Sequence, residues 1–398
     1  MTTNRSVLVA GAALSFATVG ALLGACASDE SANLEPENTE VVVPANDAGA
    51  GEAGDAEPVP CTADDCEYFP EACGADVLCP GGLFDAADPT KGMDWRTRIQ
   101  VIRGRSATDV WLAGTVGASA HFDGTSWTPS DLGTTESQRV LWLPGGSEIV
   151  FGSLDRLYSR GLDVDAGGGD AGVSAGGWAV HPSQRAPTGY GRDVTGAWAA
   201  PGSDSLWLAT ATDLWRLRLT GSTFEARPGI PGSVCSAIPC RRMRSIHGAS
   251  AGTLWAVGEV GAAVRITGAD GDTPEASPSN TMTWTGLSGV WAASDAEAWA
   301  VGGSGTIIHN TGAQLAWDVV TDVPTNENLN AVWGTSPTDV WVVGNAGVVL
   351  HFDGTSWSRV KIAGLGVRRP DLYTVWSSGP GNVWIGGQGV VLALGGKS

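Results

Sequence analysis

An all-β, seven-bladed β-propeller is the fold predicted by this 398-residue sequence, and three observations predict it. The first is a repeated unit. Residues 329–360, LNAVWGTSPTDVWVVGNAGVVLHFDGTSWSRV, read as four short strands (LNAVWG, DVWVVG, VVLHFDG, TSWSRV) separated by the turn residues SPT, NAG and DGT. The second is the period. Trp111, Ile149, Trp207, Trp255, Trp299, Trp341 and Trp384 hold one register at spacings of 38, 58, 48, 44, 42 and 43 residues, and four strands in about 43 residues is the length of a propeller blade. The third is the tryptophan content: nearly all of the 18 residues fall at repeat positions. Seven copies fit these features, with six or eight blades as the alternatives.

The N-terminus comes before any blade. Residues 1–25 hold one positive charge, Arg5, and an apolar run from Val7 to Leu23 that ends in Leu23-Gly24-Ala25-Cys26. The run is shorter than the roughly 20 residues a bilayer span requires and is rich in Gly and Ala, so it reads as a signal peptide. The segment resembles a bacterial lipoprotein lipobox. That resemblance implies cleavage before Cys26, lipidation of its thiol and attachment to the cell envelope, at the outer membrane facing the periplasm or the surface. Two or more acyl chains would hold the chain stably where one would be marginal.

Residues 26–60 are Ala, Gly, Pro, Asn, Asp and Glu with few bulky apolar side chains, a composition that cannot bury enough surface to fold. As a flexible acidic tether they would span about 30 Å. Segment 61–90 holds Cys61, Cys66, Cys73 and Cys79; in an exported chain these read as two disulfides with three possible pairings, forming a small collar. A zinc site lacks its CxxC pair. Calcium on Asp64, Asp65 and Glu67 lacks the loop with its glycine and final glutamate, so no cofactor is expected and calcium remains only a weak alternative.

The net charge of −19 is concentrated in this N-terminal part: residues 27–90 carry 16 acids and no Lys or Arg, whereas 91–398 carry 26 acids against 22 bases. Such a balance argues against nucleic acid as a partner, because phosphate recognition needs a basic footprint.

The propeller is expected over 91–398. Its first strands carry Trp142, Trp198, Trp291, Trp333 and Trp376, with Arg103 and His247 in two copies; its fourth strands carry Trp127, Trp178, Trp284, Trp317 and Trp357, with Phe224 in one. Recurrence in register makes packing between blades their expected role. Between second and third strands lie Gly-x-x-Gly turns such as Gly114–Gly117 and Gly344–Gly347; no helix follows them, so they read as hairpin turns rather than phosphate loops. The seventh copy ends at VVLALGGKS without a fourth strand, and Met93-Asp94-Trp95-Arg96 matches the missing pattern, so ring closure is expected there. Residues 161–177 and 267–280, rich in Gly, Asp and Ser, are expected to be mobile insertions.

The hairpin HFDGTSW, at His121–Trp127 and His351–Trp357, resembles a shortened Asp-box of sialidase-like propellers. The whole repeat also resembles lipid-anchored secreted propellers of myxobacteria and, distantly, the propellers of photosystem II assembly factors. The resemblance implies turn-bracing roles for Asp123 and Asp353. It does not supply a function, since these families include both enzymes and binding modules.

No catalytic residue is assigned. The arginine triad and the tyrosine–glutamate pair of sialidases have no match, and no nucleophile elbow is visible. Ten of the 20 arginines lie in loops joining one blade to the next, and eight form the candidate partner-binding face: Arg139, Arg185, Arg192, Arg241, Arg242, Arg244, Arg368 and Arg369. Cys235 and Cys240 in the longest such loop are spaced for a local disulfide. The favoured reading is a monomeric, non-enzymatic binding or scaffold module for a protein or anionic glycan, with a glycan-cleaving hydrolase as the alternative.

Overall fold

The computed structural model describes residues 73–74, 77–85, 92–162, 172–312, 316–366 and 368–396, which all belong to the compact unit Pro60–Ser398. Cys26, the tether, Cys61, Cys66, Asp64, Asp65, Glu67 and residues 163–171 of the first insertion lie outside the described residues.

The described chain folds into seven antiparallel sheets, each built from four strands consecutive along the chain except the last. We number the blades 1 (99–129), 2 (140–181), 3 (194–228), 4 (243–278), 5 (287–319), 6 (329–359) and 7 (372–394). Blade 3 carries a fifth, parallel edge strand, Ser183–Gln184. In blade 6 the predicted register holds across the sheet: Trp333 pairs with Trp341, Trp341 with His351, and His351 with Ser358.

Second strands such as Asp339–Gly344 (DVWVVG) are buried at five successive positions. Alternation disappears because both faces of each sheet press on a neighbouring blade, as in any strand covered on two sides. The core therefore lies between blades. Trp255 and Val257 of blade 4 pack with Leu287, Ile308 and Trp317 of blade 5. Outer-strand aromatics reach back to the second-strand tryptophan of the preceding blade: Trp178 on Trp111, Trp317 on Trp255 and Trp127 on Trp384, edge to face at 5.8, 5.3 and 5.2 Å.

The turns define two faces. Gly-x-x-Gly turns hydrogen-bond to the connections between blades, Gly117 N–H to the Glu136 carbonyl and Gly305 N–H to the Glu327 carbonyl, and form the upper face. Gly117 requires its residue type twice over: its φ is +68°, and a Cβ there would lie 1.8 Å from the Thr134 carbonyl oxygen. The lower face holds the turns between first and second and between third and fourth strands, where the Asp123 and Asp353 carboxylates accept backbone N–H bonds of 2.8–3.0 Å from Thr125, Ser126, Thr355 and Ser356.

Three expectations are corrected. Ring closure uses Leu78–Pro80, not Met93–Arg96: Leu78 pairs with Leu394, Cys79 with Ala393 and Pro80 with Leu392. Leu78 is fully buried beside Leu372, Val390 and Leu392, whereas Trp95 is 50% exposed in a turn on the upper face. The closing strand thus comes from the segment expected to be a collar, and its other flank is covered by residues 361–363, with Leu78 N–H bonding the Lys361 carbonyl.

The second correction concerns 267–280. Glu275–Pro278 is the outer strand of blade 4, paired to Ala263–Thr267, so this insertion is in part regular structure. The third follows from it: Trp284 lies beyond that strand and is 87% exposed. Pairing needs only backbone groups and one inward side chain, Ala276, so the aromatic register misplaced this strand.

Candidate functional site

The arginines of the connecting loops do not form a uniform patch. Arg139, at the entry to blade 2, and Arg244, on the first strand of blade 4, line the upper end of the central channel together with Arg103, His247, Tyr373 and Asn330. This cavity, about 130 Å³, has no carboxylate in its lining. Arg192 sits in an adjoining depression, bonded at 2.8 Å to Asp155. Arg242 and Arg244 share Glu259 at 3.3 and 3.4 Å, and Arg241 donates to the Ser236 hydroxyl. Arg368 and Arg369 donate to the backbone carbonyls of Gly389 and Gly366. Arg185 is set apart on the outer edge of blade 3, ion-paired with Glu225.

The loop behind Arg241–Arg244 is stiff. The short helix Gly232–Ala237 packs Cys235 into the core, and Cys235 is disulfide-bonded to Cys240, as the spacing predicts. Cys73 is bonded to Cys79 of the closing strand. Ordering such a loop in advance lowers the entropy lost when a partner binds.

Deeper in the channel, one first-strand residue per blade comes to the same level: Arg103, Trp142, Trp198, His247, Trp291, Trp333 and Trp376. The Arg103 guanidinium lies 4.8 Å from the centre of the Trp333 ring, and His247 meets that ring edge to face at 5.1 Å. Burial alone lowers the Arg103 pKa to about 10. Burial, and then the charge of Arg103, drive the His247 imidazole down to about 3. The ring is neutral at ordinary pH, and since Nδ1 accepts the Ala292 N–H at 3.1 Å, its proton sits on Nε2. No hydrogen-bond partner meets that Nε2 among the described residues.

Arg103 has equally little compensation. Among the described residues its one hydrogen bond goes to its neighbour's carbonyl, Ile102, at 2.7 Å, and no carboxylate there pairs with it. A cation–π contact contributes about 0.5–2 kcal/mol. Arg103 is half-buried and borders both channel cavities, so its charge is held there by the ring and one carbonyl without a counter-ion among the described residues. Below this level the channel widens into a cavity of about 670 Å³ that opens between the lower turns. The sequence carries a signal for these residues, two polar breaks in a ring of tryptophans, but their spacing along the chain marks neither as part of a site.

The other histidines of the repeat are structural. His121, His309 and His351 stack on Trp111, Trp299 and Trp341 at 4.3, 3.7 and 4.3 Å and bond to Asp109, Glu297 and Asp339 at 2.9, 2.9 and 2.7 Å. Arg216 and Arg265 take the same place over Trp207 and Trp255. Among the described residues no three His, Cys, Asp or Glu side chains gather as a metal site.

A family model described as photosynthesis system II assembly factor YCF48 matches residues 236–353, which run from the disulfide loop to the end of the third strand of blade 6. None of the curated proteins compared with the chain matches it. Among solved structures, the chain is similar to YCF48 bound to D1 peptide, with 16% identity and a TM-score of 0.57 over 82% of this chain and 97% of that one. YCF48 from Cyanidioschyzon merolae aligns with 16% identity and a TM-score of 0.56, covering 75% and 95% of the two chains. The WD40 propeller domain of Doa1 aligns with 8% identity and a TM-score of 0.54, covering 81% and 96%. At such identities the likeness is one of fold. Together with the family match, it supports a distant relationship to photosystem II assembly-factor propellers.

Proposed function

We propose that the propeller is a non-enzymatic binding or scaffold module whose upper face takes an acidic segment of a protein partner, and that the chain is held at the bacterial cell envelope through lipidated Cys26. The observation that carries this reading is the upper channel mouth, where Arg139 and Arg244 converge in a cavity lined by no carboxylate: Arg139 has no ion pair among the described residues, and Arg244 has only a 3.4 Å contact with Glu259, which Arg242 shares. Arginine's planar fork suits carboxylate side chains or a chain terminus. Arg192, Arg241 and Arg242 lie outside the cavity lining and serve as a rim that steers an acidic chain. Arg185, Arg368 and Arg369 fall outside the binding centre. A likeness to YCF48 bound to D1 peptide makes a peptide a reasonable kind of ligand for this face. The hydrolase alternative finds no support in the channel, because neither cavity lining supplies the pair of acids a glycosidase uses.

The test measures binding of a glutamate-rich peptide, with a heparin oligosaccharide in parallel, to the full chain and to its Arg139→Glu/Arg244→Glu variant. Peptide binding that weakens with salt and falls roughly tenfold or more in the variant supports the reading. Equal binding by both proteins would overturn it, and preference for the oligosaccharide would reassign the ligand. A Cys26→Ser chain should leave the membrane fraction; retention there would end the anchoring proposal.

A further inference from the structure

We propose that the lower mouth of the central channel is a second binding site, distinct from the upper arginine face, for a small organic carboxylate with an aromatic or other apolar body. The cavity of about 670 Å³ has the size of a small-molecule pocket. All seven blades contribute to it, and Trp142, Trp198, Trp333 and Trp376 supply most of its large side chains. These walls suit a planar or apolar body.

At its inner end the polar groups are few and of one kind. Arg103 brings a charged guanidinium with no carboxylate partner among the described residues, and His247 brings an Nε2–H with no acceptor. Both also line the upper cavity, so with Trp333 they form the level that divides the channel. One cation and one neutral donor match a monoanion. A phosphate ester would bring a second charge and call for more cations, and the other arginine of this lining, Arg105, is occupied by Asp109 and Glu148 at 3.1 and 3.0 Å.

A purely structural plug would account for Trp333 and for the stacking of Arg103. It would not account for a cation without a carboxylate partner and an Nε2–H without an acceptor, both among the described residues and beside a large cavity, where a methionine and a phenylalanine would fill the same space at lower cost. A carboxylate set between guanidinium and imidazole would satisfy both groups with charge-assisted hydrogen bonds.

The experiment is calorimetry and thermal shift on the full chain with phenylacetate, 3-phenylpropionate and indole-3-acetate, each beside its neutral amide. At least one acid is expected to bind, with its amide roughly tenfold or more weaker. Arg103→Gln should abolish the preference for acid over amide, and Arg139→Glu should leave it intact. The inference is overturned where none of the acids binds, where acid and amide bind alike, or where Arg103→Gln keeps the preference. The acid–amide comparison is made on the unaltered protein, so it decides even where the variant fails to fold. Because the upper-face test uses Arg139 and Arg244 and peptide binding, failure of either proposal is visible without the other.

Discussion

The smallest recurring device is a tryptophan capped by a histidine and a carboxylate. In blade 6, Asp339 starts the second strand, Trp341 follows two residues later, and His351 sits opposite Trp341 on the third strand. Burial raises the Asp339 carboxyl, but hydrogen bonds from Thr335, His351 and Trp341 outweigh it and leave its pKa below the ordinary carboxylate value. A folded-state value below the unfolded one, about 3.9, means the stabilisation is fully present above about pH 4 and is lost as pH falls through the folded value. Asp339→Ala should therefore lower stability by about 1–2 kcal/mol at pH 7, with the gap closing in acid. Urea unfolding of both proteins between pH 7 and pH 2 checks this; a gap that stays constant would show that the charge contributes nothing. The ten-residue Trp–His spacing was legible in the sequence, but the carboxylate partner was not, because Asp and Glu also open strands as ordinary turn residues.

At the scale of the element, the second strands and their glycine turns were the most legible parts. They are buried on both faces and repeat nearly unchanged, so local pattern and tertiary role agree. Fourth strands were harder to read, because most are only two to four residues long and few of their side chains face inward. Blade 4 turns Ala276 of Glu275–Pro278 inward, while the space beside Trp207 of blade 3 is filled by Ile230, Cys235, Cys240 and Met243. The Trp207 indole N–H finds the Ala269 carbonyl at 3.1 Å, so no aromatic from blade 4 is required there. Trp317 and Trp284 look alike in sequence but differ in consequence. Trp317→Ala removes a buried ring and its bond to Ser279, and should cost about 3–5 kcal/mol. Trp284→Ala should stay within about 0.5 kcal/mol. Denaturant midpoints measured side by side check the pair, and equal losses would contradict the strand assignment.

For the whole molecule, the ring, its blade number and the need for an N-terminal closing strand follow from the repeat, whereas the identity of that strand does not. Leu78–Pro80 carries no tryptophan and lies among cysteines, and a strand of three residues gives too short a pattern to register against anything. Its place is fixed by tertiary contacts: Leu392 and Leu394 on one side and the 361–363 segment on the other. The channel site was hidden for a related reason, since convergence of Arg103, His247 and Trp333 depends on the ring closing and not on spacing along the chain. Closure makes the whole ring depend on one small strand: without it, Val390–Leu394 would present a bare apolar edge. Leu78→Ala should therefore lower stability by about 2–5 kcal/mol and promote concentration-dependent association on heating, as an opened edge pairs with other chains. Trp95→Ala, in the segment whose sequence matches the fourth-strand pattern, should change the melting temperature little, because its ring is half exposed and its contact with the Gly389 turn is made by the backbone. Thermal unfolding followed by light scattering distinguishes the two. A large loss at Trp95 with none at Leu78 would return the closing strand to residues 93–96.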